Sequence, residues 1–395
     1  MFPQITDIFN YLFGTHLSLP IQSYGFFVAL SFLIGAYTIQ LELKRKEKQG
    51  KLKVIIKKTL VGAPASILEL IVVGLAGFVV GFKLAGIILD YTVFADNPQN
   101  YIFSSNGNLI GAFVLAAVLV VWRYYSKKKE QLPEPKWEET DIHPYQLTGN
   151  ILIISAVSGL LGAKIFHNLE NINELIRDPM GSIFSFMGLT FYGGLIVGTL
   201  SVLWYARRNN ISIIELLDAS TPGIMISYGI GRMGCMTAGD GCWGVTNLHP
   251  KPEWLAWLPD WMWSFNFPHN VVGEGMPLDP CTGKFCTILE HPVYPTSFYD
   301  FVLCTIFFIV LWSIRKKINI PGALFSIMLV IMGIQRFFME TIRVNSKYHF
   351  LGIETTQAEM ISVILIILGI MGFWFFYKRN KKIIKNSIDN SKKST

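Results

Sequence analysis

The stretch from Glu359 to Tyr377, EMISVILIILGIMGFWFFY, carries one charged side chain, at its first residue. About 20 apolar residues form an α-helix long enough to cross the hydrocarbon core of a bilayer. The rest of the chain shares this character, because 51% of its residues are hydrophobic and only 15% are charged. The sequence therefore predicts an all-α polytopic membrane protein.

Further apolar stretches predict the other membrane spans, which brings the total to about nine. They are Gln22–Gln40, Thr59–Leu84, Asn108–Trp122, Leu147–Phe166, Leu189–Tyr205, Asp218–Ala238, Ser297–Ile314 and Ala323–Thr341.

Basic segments between the predicted spans indicate how the chain is oriented. Loops rich in Lys and Arg stay on the cytoplasmic side of a membrane. Here they alternate with segments poorer in cations, and they are Lys44–Lys58, Arg123–Lys136, Ala206–Asn210, Arg315–Lys317 and Lys378–Lys393. The N-terminus is therefore predicted outside and the C-terminus in the cytoplasm. The basic tail over 379–395 is expected to be disordered.

The net charge of +7 lies mostly in these loops. It indicates membrane topology and attraction to anionic lipid, and it does not indicate a nucleic-acid partner. The expected location is a bacterial plasma (inner) membrane, which the chain crosses several times.

Ionisable residues lie at or near the ends of two predicted spans, where an unpaired charge is costly. Arg232 occurs in Gly229-Ile-Gly-Arg-Met-Gly234, and Arg336, Glu340 and Arg343 follow one another at i, i+4 and i+7. This spacing predicts that the three share one helix face. Two guanidinium groups beside one carboxylate suit a phosphate, whose oxygens guanidinium binds bidentately. The alternative is an ion-pair network that joins the two spans.

An external insertion over Val245–Glu290 is rich in proline and tryptophan. Its tryptophans are Trp254, Trp257, Trp261 and Trp263. Because tryptophan rings prefer the head-group layer, the insertion is predicted to rest on the outer membrane face as a lid or docking surface, or as a passive interfacial loop. Cys281 and Cys286 are candidates for a small disulfide, with a metal site as the weaker alternative.

Two parts of the sequence resemble each other. Val79–Leu89 is followed by Gly107–Gly111, and Leu160–Leu169 is followed by Gly193–Gly198. The first helix pair is interpreted as a degenerate copy of the second, in which small residues permit close helix approach. The alternative is that glycine is simply common in membrane helices.

Several motifs occur in the order seen in prolipoprotein diacylglyceryl transferases, which the chain resembles from about Gly159 to Ser362 and more weakly around Tyr24-Gly25. The motifs are Tyr24-Gly25, Gly162-Ala-Lys164, Tyr192-Gly-Gly-Leu195, Gly231-Arg-Met-Gly234, Gly239-Asp240, Trp243-Gly244, Tyr294-Pro-Thr-Ser-Phe-Tyr-Asp300, Arg336-Phe-Phe-Met-Glu-Thr-Ile-Arg343 and Thr356-Gln-Ala-Glu-Met-Ile-Ser362. The transferase domain would cover residues 1–378. Beside the family's seven-span pattern, the helix pair over 59–122 and the insertion over 245–290 are additional.

The resemblance implies transfer of a diacylglyceryl group from phosphatidylglycerol to the lipobox cysteine of a prolipoprotein, with no metal or organic cofactor. The implied partners are this lipid, the signal-peptide region of the precursor and the membrane itself.

The resemblance also implies roles for individual residues. Arg232 and Arg343 are the candidates for binding the phosphate and its developing charge, and Arg336 and Glu340 form a supporting ion pair. Asp240 would orient lipid or thiol, and Tyr24 would donate a hydrogen bond near the head group. The remaining candidates are Tyr192 for catalysis and Gly193, Gly194, Gly244 and Lys164 for substrate binding.

The sequence departs from the family pattern at several of these positions. Tyr192 stands where the family often has a histidine, and a phenol with a reference pKa near 10 is a poor base at neutral pH. Cys235 and Ala238 replace asparagines, and Asp240 replaces a glutamate. Lys164 stands where an arginine is usual, and it either contacts lipid phosphate or extends to the membrane surface.

Two other functions remain open at this point. One is a phospholipid-dependent transferase with a different acceptor. The other is a lipid-binding or transport protein without chemistry, although the paired broken helices typical of transporters are not evident in the sequence.

Overall fold

The computed structural model describes residues 1–15, 19–96, 98–184, 190–281, 283–344, 347–350 and 353–393. Most of them lie in α-helices, whose bounds are α1 Ile5–Phe13, α2 Ser23–Lys48, α3 Ile67–Leu89, α4 Tyr91–Asp96, α5 Pro98–Phe103, α6 Leu109–Lys129, α7 Thr148–Glu170, α8 Ile172–Arg177, α9 Pro179–Phe184, α10 Phe191–Arg208, α11 Ile213–Ala238, α12 Thr296–Ile314, α13 Ala323–Glu340 and α14 Gln357–Lys393. Short strands pair antiparallel: β1 (Ile55–Val61) with β2 (Lys136–Ile142), β3 (Met276–Pro277) with β4 (Thr287–Ile288), and β5 (Lys347–Phe350) with β6 (Ile353–Thr356).

Seven helical segments in this described part of the chain are long and apolar enough to cross a membrane. They are Ser23–Lys48, Ile67–Leu89, Leu109–Lys129, Pro144–Glu170, Thr296–Ile314, Ala323–Glu340 and Gln357–Ile383. The prediction of an all-α polytopic membrane protein is confirmed at this level.

Helices α10 and α11 lie where two further spans are predicted. They contain 18 and 26 residues, so their lengths are comparable with the hydrocarbon core of a bilayer. Charged residues make them less apolar, and α11 alone carries Glu215, Asp218 and Arg232. The total of nine spans and the orientation of the termini therefore stay predictions. Leu189, where one predicted span begins, lies outside the described residues.

Two sequence-based expectations are wrong. The span expected from Thr59 begins only at Ile67, because Thr59 lies in β1 and pairs with Glu138. Gly62 and Pro64 separate this strand from the helix, as both residues disfavour a continuous helix. The tail was expected to be disordered, but α14 continues to Lys393. No glycine or proline follows Gly372 in the sequence, so the helix meets no residue that would end it.

The chain divides into two compact units. The first holds a group of residues called the arginine cluster, which are Tyr228, Arg232, Asp300, Arg336, Glu340 and Arg343. This unit comprises Met1–Lys53, Pro144–Leu152 and the chain from Tyr205 onwards. Helix α11 packs against α2 and α12, and α13 packs against α14. The buried side chains of Met225, Cys304, Leu311, Leu324 and Met328 form a core between α11, α12 and α13. Close packing of this kind holds helices together in lipid, where the tails are as apolar as the side chains.

Buried ion pairs join the helices of this unit near the start of α11. Lys46 of α2 contacts Glu215 at 2.5 Å and Asp218 at 3.7 Å. Asp218 also accepts hydrogen bonds from the backbone N–H groups of Gly322 at 2.8 Å and Phe325 at 3.0 Å. Asp218 thereby caps the N-terminus of α13, where a carboxylate satisfies exposed N–H groups.

The second unit comprises Val54–His143 and Ile153–Trp204, and it contains the two helix pairs that the sequence repeat predicts. The first pair is α3 with α6, and the second is formed by α7 and α10. A Cβ at Gly111 would lie 2.9 Å from the carbonyl oxygen of Gly81. A Cβ at Gly193 would lie 2.5 Å from the carbonyl oxygen of Gly162.

In both pairs, the glycine of the first helix also lies close to a residue one turn further along the second helix. Leu115, four residues after Gly111, would lie 2.8 Å from a Cβ at Gly81, and Val197, four residues after Gly193, would lie 2.5 Å from a Cβ at Gly162. These contacts match Gly111 with Gly193, whereas the sequence repeat aligns Gly107 with Gly193. The two registers differ by four residues, so the duplication stays a prediction.

The insertion over Val245–Glu290 packs against the segments that flank it. Its Phe267 and Leu289 form a small core with Met236, Trp243 and Val293, and Cys281 and Cys286 form a disulfide. The predicted disulfide is confirmed, and the alternative of a metal site at this pair is excluded. Trp254 and Trp257 remain 74% and 78% exposed, so their contact with the head-group layer stays a prediction.

Replacing Gly162 by Ala is expected to destabilise the protein, because the new Cβ would lie 2.5 Å from the Gly193 carbonyl oxygen. Overpacking of this kind costs about 1–3 kcal/mol. The measurement is the midpoint of thermal unfolding of the purified protein in detergent. Gly159→Ala is the control on the same helix, since its Cβ would meet nothing nearer than 3.7 Å. Equal midpoints for the two variants would contradict the packing described.

The orientation of the termini can be tested with C-terminal fusions expressed in bacteria. We expect a fluorescent-protein fusion at the C-terminus to fluoresce and an alkaline phosphatase fusion to be inactive, because the basic residues after Tyr377 favour the cytoplasmic side. A phosphatase inserted beside Lys251 in the external insertion should be active. The reverse pattern would overturn the predicted topology.

Candidate functional site

A buried carboxylate lies between two arginines in the first unit. The Oδ2 atom of Asp300, in the second turn of α12, is 3.3 Å from Nε of Arg232 and 3.9 Å from Nη1 of Arg343. The Asp300 side chain is fully buried. Its other oxygen, Oδ1, accepts a hydrogen bond from the amide of Gln335, next to Arg336 on α13. A single carboxylate therefore links α11, α12 and α13.

Arg336 and Glu340 form the ion pair that the sequence predicts. Arg336 Nη2 is 2.9 Å from Glu340 Oε2, and the glutamate side chain is almost fully buried. The spacing of four residues places both side chains on one face of α13.

Arg343 is not on that helix face, which corrects the sequence prediction. Helix α13 ends at Glu340, and the backbone of Arg343 forms an antiparallel bridge with Gly244. The N–H of Val245 donates to the carbonyl oxygen of Ile342 at 2.9 Å. Arg343 therefore reaches Asp300 through pairing with the segment after α11. Helix periodicity does not determine its position.

Gly244 allows this pairing because its backbone is closely surrounded. A Cβ at this position would lie 2.5 Å from the carbonyl oxygen of Ile342 and 2.9 Å from both Thr296 Cγ2 and Tyr294 Cβ. Gly244 thus has a structural function beside the predicted substrate contact, since it permits the approach that places Arg343.

The turn between α11 and Gly244 is held to the start of α12. The carbonyl oxygen of Cys242 accepts hydrogen bonds from Thr296 Oγ1 at 2.9 Å and Ser297 Oγ at 2.8 Å. The Cys242 sulfur accepts a hydrogen bond from Nη1 of Arg232 at 3.7 Å. The pKa of Cys242 is lowered to about 7, mainly by a hydrogen bond with the Cys235 thiol; Arg232 acts in the same direction, and burial and the charge of Asp240 act against it.

Tyr24 and Asp240 also belong to this part of the first unit. The backbone at Tyr24, near the start of α2, packs against α11, because a Cβ at Gly234 would lie 3.3 Å from the Tyr24 carbonyl oxygen. Asp240 follows the last turn of α11, where its Oδ1 accepts from the N–H of Cys242 at 3.2 Å.

The structure thus places seven predicted site residues in one unit. They are Tyr24, Arg232, Asp240, Gly244, Arg336, Glu340 and Arg343. Tyr192, Gly193, Gly194 and Lys164 belong to the second unit. Gly193 contributes there to the close contact with Gly162, and the functional roles of these four stay predictions.

Sequence reasoning missed two residues of the arginine cluster. Asp300 was part of a recognised motif but received no role, although an acidic residue inside an apolar span is the signal that identified Arg232. Tyr228 lies one turn before Arg232, and its hydroxyl accepts a hydrogen bond from Arg232 Nη2 at 2.8 Å. The guanidinium also lies 4.9 Å from the centre of the Tyr228 ring.

The charges of this cluster do not balance. Arg232, Arg336 and Arg343 face the carboxylates of Asp300 and Glu340, which leaves one positive charge in excess. In the described part of the chain, Arg336 Nη1 is buried and makes no hydrogen bond, whereas Arg232 Nε has the contact with Asp300 at 3.3 Å. A buried donor beside an excess positive charge suits a singly charged anion such as a phosphodiester.

Comparison with known proteins agrees with the motifs. The family model of prolipoprotein diacylglyceryl transferase matches residues 108–375, which is well over half of the chain and includes every residue of the arginine cluster.

Individual relatives give the same result. A phosphatidylglycerol–prolipoprotein diacylglyceryl transferase from Clostridium tetani is 29% identical over 274 residues, which is 68% of this chain and 90% of that protein. A protein of the same name from Pseudomonas putida is 26% identical over 274 residues, with 68% and 89% covered. Another from Dehalococcoides mccartyi is 27% identical over 240 residues, with 60% and 79% covered.

Replacing Asp300 by Asn should destabilise the protein by about 3–5 kcal/mol, because the buried arginines would lose their common counter-charge. Asp260→Asn is the control, since its pair with Lys251 is at the surface, where the Asp260 side chain is 93% exposed, and should cost less than about 1 kcal/mol. Unfolding in detergent measures both. We expect Asp300→Asn with Arg232→Gln to cost less than the sum of the single changes. Equal effects of Asp300→Asn and Asp260→Asn would contradict a buried ionic centre.

Proposed function

We propose that this chain, which belongs to the prolipoprotein diacylglyceryl transferase family, transfers the diacylglyceryl group of phosphatidylglycerol to a cysteine thiol in the signal-peptide region of a lipoprotein precursor. The observation that carries the proposal is the buried cluster of three arginines and two carboxylates with its excess positive charge. The phosphodiester of phosphatidylglycerol carries one negative charge and would balance it.

The chemistry requires this charge at the leaving group. The thiolate sulfur attacks the glyceryl carbon, a C–S bond forms, and the bond between that carbon and the phosphate oxygen breaks. Glycerol phosphate leaves with the electron pair of the broken bond. Guanidinium groups already oriented toward the developing negative charge would stabilise the transition state more than the ground state.

Arg232 and Arg343 are the proposed ligands of the phosphate. Both contact Asp300 Oδ2 through single atoms at 3.3 and 3.9 Å. Arg232 also donates to Cys242 through Nη1 and to Tyr228 through Nη2, so the second N–H of each of these nitrogens is the group that would meet an anion. Asp300 is proposed as a positioning residue, because it orients both groups and partly neutralises them before lipid binds. Arg336 and Glu340 would provide the supporting pair.

Other residues take roles by their place in the family's motifs. Tyr24 would donate a hydrogen bond to the lipid head group, and Asp240 would orient the acceptor. The hydroxyl of Tyr192 would act as a hydrogen-bond donor, which a phenol can be at neutral pH. Gly193, Gly194, Gly244 and Lys164 complete the proposed substrate-binding set.

The membrane context belongs to the same proposal. Nine spans with the N-terminus outside would bring Arg232, Arg343 and the external insertion to the outer face of a bacterial inner membrane. A secreted precursor and the outer leaflet meet at that face. Trp254 and Trp257, which are largely exposed, would then contact the head-group layer.

The test is an assay of purified protein in detergent with phosphatidylglycerol and a peptide that contains a lipobox cysteine. We expect wild type to form a thioether product. Arg232→Ala should lower the rate by at least about 100-fold, as expected for loss of a preorganised donor to the developing charge. Arg232→Lys keeps the charge but loses the planar fork, and should recover only part of the rate.

Two further variants sharpen this assay. Lys251→Ala, in an exposed ion pair of the insertion, is the control and should keep the wild-type rate. Tyr192→Phe should lower the rate about ten-fold, because the variant lacks the proposed hydrogen-bond donor, and an unchanged rate would exclude a role for the hydroxyl. Bound phosphatidylglycerol without thioether from wild type would overturn the proposal in favour of a different acceptor or a lipid-binding protein without chemistry.

A further inference from the structure

A second cluster of reactive side chains lies beside the arginines. It consists of the thiols of Cys235 and Cys242 and the carboxylate of Asp240, and one candidate ligand atom from each residue lies within 4.8 Å of the other two. Cys235 is buried in the last turn of α11, and the other two follow in the turn after it. The proposed phosphate chemistry uses neither cysteine.

We propose that Cys235, Asp240 and Cys242 bind a divalent metal ion of the zinc type, and that this ion holds the acceptor thiol as a thiolate. Two thiolates and one carboxylate are ligands that zinc takes in proteins. Catalytic zinc sites have three protein ligands and keep a fourth position for water or substrate. Here too three protein side chains place one possible ligand atom each within 4.8 Å of the others.

The turn that carries these ligands is well held. Gly239 ends α11 in the left-handed region, with φ of +66°, and its N–H donates to the carbonyl oxygen of Cys235 at 2.9 Å. The carbonyl of Cys242 is bound by Thr296 and Ser297, and the N–H of Cys242 donates to Oδ1 of Asp240. Secured in this way, the ligand atoms require little rearrangement to meet one ion.

Arg232 connects this cluster with the phosphate site. Its Nη1 donates to the sulfur of Cys242 at 3.7 Å, while its Nε faces Asp300. A ligand sulfur that accepts a hydrogen bond from a neighbouring group is a common arrangement around metals. Two thiolates and a carboxylate carry three negative charges, of which the ion offsets two, and the contact from Arg232 places a positive group beside the Cys242 sulfur.

The role of the ion rests on the proposed function. A thiol that coordinates zinc loses its proton, and here the proton passes to solvent. The bound thiolate then attacks the glyceryl carbon, the C–S bond forms, and the C–O bond breaks with its electrons passing to the phosphate oxygen. The metal keeps its oxidation state throughout. The thioether product is a weaker ligand than a thiolate, so it can leave.

This arrangement explains how the chain can activate a thiol although Tyr192 stands where the family pattern has a histidine. A metal generates the thiolate without a general base. Two of the three proposed ligands, Cys235 and Asp240, are themselves positions at which the sequence departs from that pattern.

The test is the metal content of the purified full-length chain in detergent, measured by atomic emission after addition of zinc and removal of excess by desalting. We expect one zinc per wild-type chain and a loss of at least ten-fold in occupancy for Cys235→Ser and for Cys242→Ser. Cys304→Ala is the matched control, because Cys304 is buried in α12 outside the cluster, and it should keep wild-type occupancy.

A spectroscopic probe covers the case in which a variant fails to fold. Cobalt added to metal-free wild type should give thiolate-to-cobalt absorption and the strong visible bands of a four-coordinate site, and added zinc should abolish both. Wild type without zinc and without the cobalt bands would overturn the proposal. A Cys235–Cys242 disulfide found by mass spectrometry in freshly purified protein would also overturn it and indicate a redox pair.

Transfer activity separates this inference from the proposed function. We expect a chelator to abolish thioether formation and zinc to restore it, while binding of phosphatidylglycerol persists. Full activity of the metal-free chain would overturn the role of the metal and leave the transferase standing. Zinc bound at the cluster without any transfer to the peptide would leave the metal site standing and overturn the transferase.

Discussion

The contact between one carboxylate and two guanidinium groups determines how the first unit is arranged. Asp300 is fully buried, and Arg232 and Arg343 approach the same oxygen from different parts of the chain. Each charge alone would be costly in an apolar environment. The cost falls only when α11, α12 and the segment after α13 meet at this point, so these elements are mutually dependent. One positive charge is left, and an anionic substrate would complete the cluster.

Small residues make this meeting possible. The carbonyl oxygen of Ile342 lies so close to Gly244 that a Cβ there would be only 2.5 Å away. Arg343 reaches Asp300 because its backbone pairs with Gly244. In the second unit, Gly162 and Gly193 let two helices approach as Gly81 and Gly111 do in the other pair. Close approach at glycine thus places a residue of the candidate site in one unit and joins two helix pairs in the other.

The sequence predicts features that depend on local pattern and misses those that depend on distant contacts. The all-α membrane class and the Arg336–Glu340 pair follow from composition and helix spacing, and the described residues contain seven helices long and apolar enough to cross a membrane as well as the pair. Arg343 was expected on the same helix face because its spacing fits, but α13 ends at Glu340 and a residue far along the chain pairs with it. The role of Asp300 is evident only from the folded structure, because its two partners, Arg232 and Arg343, are far from it in sequence.

The proposed transfer of a diacylglyceryl group from phosphate to sulfur makes two separate demands. The leaving phosphate needs fixed positive charge, which the arginines would provide, and the attacking sulfur needs to lose a proton. Cys235, Asp240 and Cys242 lie together beside the arginines. Arg232 contacts both the Asp300 carboxylate and the Cys242 sulfur. The binding of an anion at Arg232 and the charge on that sulfur therefore affect each other, which would couple lipid binding to activation of the thiol.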